Sequence, residues 1–490
     1  MRFICLHGHF YQPPRENPWT GEVEPQSSAV PYHDWNQRIA AECYRPNARA
    51  LLADPGGRVL RVINNYEHIS FNFGPTLLVW LERNEPDTYQ RIIATDAETV
   101  QRFSGHGAAI AQCYNHIIMP LANPRDKRTQ VIWGIRDFEH RFRRRPEGMW
   151  LPETAADLAT LDIMAEQGIK FTILAPHQGR ASDSPTPDPR PLTPLDSRQP
   201  HFVRLPSGRI IVVFFYDTAV AGEVAFGNLL ASGESLARRL DAAFGPDTGP
   251  QLVSIATDGE TFGHHHPGGE LALADCIRRT DSRLTVFGEF LERFPPTREA
   301  LLNENTSWSC SHGIERWRSD CGDNSGAHPG WNQQWRKPLR DALDWLRDRL
   351  AGFYETRMTQ FVRDPWRARD DYINILLRPE PDSIREFLIR HAGTELHGPD
   401  RAQVVKLLQL QRLAMLMFTS DAWFFDDISG IEPKQNLSYA ARAIELAGEL
   451  GSEPLEPGFL DILSPAKSNL ASQGTGTDIY RHLLQSRAGN

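Results

Sequence analysis

Residues 148–174 read GMWLPETAADLATLDIMAEQGIKFTIL. The run 148–151 is a short apolar strand, and it hands the chain to a carboxylate, Glu153. Thr154 is an N-cap residue type for a helix over 155–167, and Gly168 is the residue type that closes a helix in the left-handed region. The run 169–174 is apolar again and too short for a second helix, so it reads as a strand. Strand, helix and strand make a βαβ unit, which places its two strands parallel in one sheet.

The same alternation extends on both sides. Toward the N-terminus, 3–6 is a buried first strand delivering His7-Gly8-His9-Phe10-Tyr11-Gln12, and Pro13 and Pro14 end it. A helix over 34–52, a second strand at 59–64, a loop at 71–75 and helices over 76–83, 86–103 and 125–143 follow. Toward the C-terminus, a Pro-rich insertion near 180–200 is an excursion from the core. Runs 202–205 and 209–216 form a hairpin ending on Asp217, and 226–244 is a helix. The strand 252–257 delivers Asp258, followed by a helix at 270–280 and a short strand and helix within 284–294. The fold class is therefore α/β, a parallel (β/α) barrel or a doubly wound sheet. Beyond about residue 330 strand runs vanish, and 331–361, 365–377, 382–391, 401–419, 434–448 and 463–487 are helical. The expected organisation is a catalytic domain at 1–320 and an α-helical domain at 321–490.

The chain has 490 residues, 40% of them apolar and 23% charged, which places it among ordinary globular proteins. Its net charge of −9 argues against a nucleic acid or an anionic membrane as partner. No run reaches transmembrane length, and 3–6 is too short for a signal-peptide core, so a cytoplasmic protein is expected. Cys5, Cys43, Cys113 and Cys276 read as buried thiols. Cys310 and Cys321 flank a polar loop and read as free thiols, with no CxxC spacing to mark a zinc site.

Two carboxylates stand directly after predicted strands, Glu153 and Asp258, and in a parallel barrel all strand carboxyl ends meet at one face. Such a pair can supply the nucleophile and the general acid of glycoside hydrolysis. Asp258 as the acid needs a pKa well above the ordinary value of about 3.9. Glu153 and Glu260 are the neighbours expected to raise it, with His264 as a second tuning group. His7, His9 and His264-His265-His266 with Asp258 could form a metal set, but His7 and His9 are read instead as hydrogen-bond donors to substrate hydroxyls or as groups that orient a carboxylate, and His265 and His266 carry no assigned role. We take a strand carried through to His9 to keep His7 and His9 from serving one ion together. Trp150 and Trp308 fall in polar strand-end segments, where indole faces stack on sugars.

These residues resemble glycoside hydrolase family 57, which acts on α-glucans. His7-Gly8-His9-Phe10-Tyr11-Gln12-Pro13 is similar to its first motif and Tyr114-Asn115-His116-Ile117-Ile118-Met119-Pro120-Leu121 to its second. Trp150-Leu151-Pro152-Glu153 resembles the third, and Asp258-Gly259-Glu260-Thr261-Phe262-Gly263-His264 the fourth. Ser307-Trp308 with Gly313 and Trp317 is a looser likeness to the fifth. The resemblance implies a (β/α)7 barrel, a retaining mechanism and no required cofactor or metal. It also implies Glu153 as nucleophile and Asp258 as acid/base. His7, His9, Gln12, His116, Trp150, Glu260, His264 and Trp308 are the expected substrate-binding residues. The partner implied is an oligo- or polysaccharide α-glucan, cleaved, transferred or branched. Two other readings compete: a metal-dependent deacetylase or mannosidase-like enzyme using His7, His9 and the His264 cluster, and a non-catalytic carbohydrate-binding protein.

Overall fold

The computed structural model describes residues 1–54, 56–182 and 195–488. Among these, seven parallel strands succeed one another in space in chain order: β1 (Arg2–Phe10), β2 (Ser70–Phe73), β3 (Ala111–Gln112), β4 (Met149–Trp150), β5 (Phe171–Leu174), β6 (Ile210–Phe215) and β7 (Gln251–Asp258). β1 lies between β7 and β2, β3 pairs with β4, and β5 pairs with β6. Parallel bridges Phe71–Ala109 and Gly148–Phe171 join β2 to β3 and β4 to β5. The Asp217 N–H donates to the Ser254 carbonyl at 2.8 Å and links the end of β6 to β7, which returns to β1. A doubly wound sheet reverses its strand order at a switch point. Here the order never reverses, so the fold is a (β/α)7 barrel.

Register explains how the barrel places polar groups. Ile4, Cys5 and Leu6 are fully buried on β1, as befits a strand covered on both faces. Further along, His9 is level with Asn72 of β2 and with Asp258 of β7, and His7 is level with Ser70 and Ala256. The strand does run through His9. Side chains on a strand repeat every second residue, so His7 and His9 share a face. The expectation that extension would part them is therefore corrected.

Two local expectations also change. The apolar run read as a second barrel strand instead pairs antiparallel with Ala50–Ala53 as Val59–Ile63. Val59, Leu60 and Val62 stand 49%, 61% and 50% exposed there. The barrel strand is Ser70–Phe73, within and beside the segment read as a loop. Its pattern alternates: Phe71 and Phe73 enter the aromatic core, while Ser70 and Asn72 bond to β1 histidines. After β4 the helix starts only at Leu158, because Asp157 and not Thr154 caps it, accepting from the Thr160 N–H at 3.0 Å. The residues released from that helix, Glu153 and Thr154, build the site. The Pro-rich insertion lies largely in 183–194, outside the described residues.

The contacts divide the chain into two compact units. The first comprises Met1–Pro14, Glu24–Cys113 and Phe138–Trp308, and the second Arg15–Val23, Tyr114–Asp137 and Ser309–Asn490. The second unit is built on α1 (Arg336–Met358), α2 (Gly398–Leu416) and α3 (Ile431–Glu449), with α2 packed on both others. Leu339, Leu343, Leu346 and Leu350 form the buried stripe of α1 at helical spacing. The helix expected over 463–487 is two helices, Glu456–Leu463 and Gly476–Ala488, with Pro465 between them. No helix among the described residues is long and apolar enough to cross a membrane.

Gly259 follows β7 because no side chain fits there. A Cβ at that position would stand 2.2 Å from the Phe10 ring, which itself stacks on Phe73 at 4.7 Å. Gly259→Ala is expected to cost about 1–3 kcal/mol by overpacking. The check is urea denaturation, where the midpoint should fall at constant slope; an unmoved midpoint would show that Phe10 has room to yield.

Candidate active site

Glu153 sits in a turn after β4 with a left-handed backbone, φ 58° and ψ 19°, and Thr154 follows at φ 51°. Each such residue costs about 1–3 kcal/mol unless its surroundings impose it. They do. The Trp308 backbone N–H donates to the Glu153 carbonyl at 3.0 Å, and the Trp308 indole N–H donates to Glu153 Oε2 at 3.1 Å. The Thr154 N–H donates to the Leu151 carbonyl at 2.8 Å. Its hydroxyl donates to Gln178 Oε1 at 2.8 Å, and Gln178 Nε2 returns a bond to the Thr154 carbonyl at 2.7 Å. The carboxylate is thus aimed by backbone and indole together.

Asp258 ends β7. Its side chain remains open to water although protein crowds it closely, as at the floor of a cleft. That crowding, with the Glu153 carboxylate adding to it, pushes its pKa up to about 7. Glu260 is buried two residues on. Its Oε1 accepts from the Tyr44 hydroxyl at 2.6 Å and from the Tyr11 N–H at 3.2 Å. Burial pushes Glu260 up to about 8 against those donors, and Asp258 contributes further. The Tyr216 hydroxyl, buried at the end of β6, is also raised, first by burial and then by the Asp258 charge. Asp258 therefore interacts with Glu153, Glu260 and Tyr216 across the ends of three segments.

The histidines form a platform. His7 Nε2 donates to Asn72 Oδ1 at 3.1 Å, and its Nδ1 accepts from the Ser70 hydroxyl at 3.0 Å. Asn72 Nδ2 donates to His9 Nδ1 at 2.9 Å and to Gln112 Oε1 at 2.7 Å. This network puts the His9 proton on Nε2. His7 is fully buried, its pKa lowered to about 3 by burial, so it is neutral. Both imidazoles stack on Trp150 with centroids at 5.0 and 4.9 Å, and Trp150 meets Trp308 edge-on at 5.0 Å.

The structure brings Glu153, Asp258, Glu260, His9, Trp150 and Trp308 into this constellation, and it corrects several expected contacts. Trp150 and His7 are fully buried, so they support His9 and Trp308 from beneath and offer no face to a sugar. Trp308 is half-buried and does offer one. Gln12 follows Tyr11, which stacks on His9 at 5.9 Å, and is half-buried. His264 pairs with Glu42 through Nδ1 at 2.5 Å, so Glu153 and Glu260, not His264, interact with Asp258. His116 belongs to the second unit, buried with Nδ1 at 2.7 Å from the Ser420 hydroxyl. Asn72, Tyr44, Gln178 and Tyr216 were missed. Of these only Asn72 left a trace in the sequence, the alternation in Ser70-Phe71-Asn72-Phe73.

Residues 12–301 match the family model of glycosyl hydrolase family 57, and residues 331–489 match a domain of unknown function, DUF3536. Alpha-amylase 1 of Dictyoglomus thermophilum is 26% identical over 107 residues, which is 22% of this chain and only 15% of that protein. Among solved structures, an exo-type maltose-forming amylase from Pyrococcus sp. ST04 is similar with a TM-score of 0.73 at 17% identity, over 99% of this chain and 88% of the other. The branching enzyme of Pyrococcus horikoshii gives 0.57 at 14%, over 99% and 94%. The 4-alpha-glucanotransferase of Thermococcus litoralis gives 0.55 at 15%, over 92% and 60%. These structural likenesses bear on the fold, whereas the family model spans more than half of the sequence: the chain belongs to glycosyl hydrolase family 57.

Proposed function

We propose that this protein is a retaining α-glucan-active glycoside hydrolase or transglycosylase, with Glu153 as nucleophile and Asp258 as acid/base. The observation that carries the reading is an aspartate raised to about 7 beside a carboxylate held by Trp308. Protonated Asp258 donates to the glycosidic oxygen while Glu153 attacks the anomeric carbon. The leaving glucan departs protonated and a glycosyl ester forms on Glu153. Asp258, now ionised, takes the proton from water or an acceptor hydroxyl. That oxygen attacks the anomeric carbon and releases Glu153, with net retention. His9 and Trp308, with Gln12 beside them, line the sugar subsite in this reading, and His7 and Trp150 hold them in place. The α-glucan is the substrate class that the likeness to an amylase, a branching enzyme and a 4-alpha-glucanotransferase supports. A reducing, cytoplasmic setting suits six unpaired cysteines.

A metal-dependent reading finds less support from the donors themselves. Both nitrogens of His7 are engaged by Ser70 and Asn72, His9 Nδ1 by Asn72, and His264 Nδ1 by Glu42.

The test is trapping. A 5-fluoro-α-glucosyl fluoride should label the peptide carrying Glu153, seen by mass spectrometry, and products from maltoheptaose should emerge as α-anomers by NMR. A β-anomer product, or label on another carboxylate, would sink the assignment.

A further inference from the structure

We propose that Cys310, His312, Cys321 and Asp323 form a four-ligand structural zinc site in the second unit. The four donor atoms lie within 4.8 Å of one another. The two sulfurs are 4.0 Å apart, about twice the length of a disulfide bond, and His312 Nδ1 is 3.5 Å from Asp323 Oδ2. A tetrahedron with zinc–ligand arms of 2.0–2.3 Å has edges of roughly 3.3–3.8 Å. The donors thus need only small contractions to meet one ion. Two sulfurs, an imidazole and a carboxylate suit a borderline cation such as zinc and not an oxygen-seeking one such as calcium.

The surroundings are built for charge. Backbone N–H groups of His312 and Arg316 face the Cys310 sulfur, and Arg336 Nη1 reaches Cys321 Sγ at 3.9 Å. The Ser311 N–H donates to Asp323 Oδ2 at 3.1 Å and orients that carboxylate, the kind of supporting bond that metal ligands require. Arg316 and Arg336 are buried at 6% and 0% exposure, and the Nε of each has no hydrogen-bond partner among the described residues. Two thiolates and a carboxylate around a divalent ion leave a net negative centre, which these two buried cations balance. Each ligand pair is spaced i, i+2 with a glycine at φ 84°, Gly313 after the first pair and Gly322 within the second. A search for CxxC passes over such a set, because the second ligand of each pair is not cysteine. The segment also lies between the two family-matched regions, 12–301 and 331–489.

All four positions would be filled by protein, so the ion would staple and not catalyse. It would close a loop whose regular structure is one short turn, Glu315–Trp317, and would fix fully buried Trp317 and Arg316.

The full-length chain, purified under reductant from zinc-supplemented medium, should carry about one zinc per chain by plasma mass spectrometry. Cobalt substitution should give thiolate-to-cobalt bands in the near ultraviolet and the intense visible bands of tetrahedral cobalt. Cys310→Ser with Cys321→Ser should lower bound zinc at least tenfold and abolish the near-ultraviolet bands. Should that variant fail to fold, the cobalt titration of the unaltered chain decides by itself. Absence of zinc and cobalt uptake by the reduced chain would overturn the proposal. So would recovery of a Cys310–Cys321 disulfide whose reduced form takes up no metal, or full zinc content in a folded double variant.

Discussion

Asp258→Asn is expected to lower kcat on malto-oligosaccharides by about 10²–10⁴-fold, the usual contribution of a positioned general acid. Substrates whose leaving group needs no proton, such as activated aryl glucosides, should lose far less in the first step. Glu153→Gln should be at least as damaging on both kinds of substrate, because no ester can form. The contrast separates the two roles, and equal losses on both substrates for both variants would contradict the division of labour.

The pH profile of the unaltered enzyme adds a second reading of the same pair. As the proposed acid, Asp258 has to be protonated in the free enzyme, and with its pKa raised to about 7, kcat/KM should fall as pH rises through about 7. Glu153→Gln removes the neighbouring charge and should move the Asp258 titration downward, which NMR of the carboxyl carbon can follow in an inactive variant. Stability moves in the same direction as kcat/KM. An acid whose pKa is raised on folding holds its proton longer in the native state than in the unfolded chain. Stability is therefore lost as pH rises from the unfolded value near 4 through the folded one. Asp258→Asn should consequently raise Tm at pH 8 even as it lowers turnover.

Asn72→Ala is the second large effect. One side chain satisfies His7 Nε2, His9 Nδ1 and Gln112 Oε1, all buried. Each group stranded costs about 1–3 kcal/mol, so a fall of several kcal/mol in unfolding free energy is expected, together with reduced kcat as His9 loses its fixed tautomer. Ser70→Ala removes a bond only from the far side of His7, and should cost stability while sparing kcat. Equal catalytic damage in both variants would mean that the His7–Asn72–His9 chain transmits nothing to the site.

How far the sequence spoke follows from where each signal resides. Glu153 and Asp258 were legible because each stands at a strand end, a local pattern that survives without tertiary information. The parallel α/β class was legible from the βαβ unit at 148–174, whereas the choice of a seven-stranded barrel over a doubly wound sheet came from the family resemblance. Strand β2 was not, because four residues half polar look like a loop until Asn72 is seen facing His7. Val59–Ile63 misled for the complementary reason, an apolar run spent on an exposed ladder. Tyr44, Gln178 and Tyr216 carry no local pattern, and their meaning comes from partners far away in sequence or on another strand. The three histidines after Asp258 turned out to be divided. His264 pairs with Glu42, and His266 bonds the Ala225 carbonyl at 3.0 Å.

The grip of Trp308 on Glu153 bears on how the enzyme matures. Two of the bonds that hold Glu153 come from a residue 155 positions further along the chain. A nascent chain emerging N-terminus first can bring out all seven strands once residue 258 is free, yet its Glu153 turn then keeps only the bonds of Leu151 and Gln178 to Thr154 and lacks both bonds from Trp308. The two Trp308 bonds to Glu153 therefore trail the last barrel strand by about fifty residues of synthesis. A half-made chain carries all seven strands with Glu153 not yet held by Trp308.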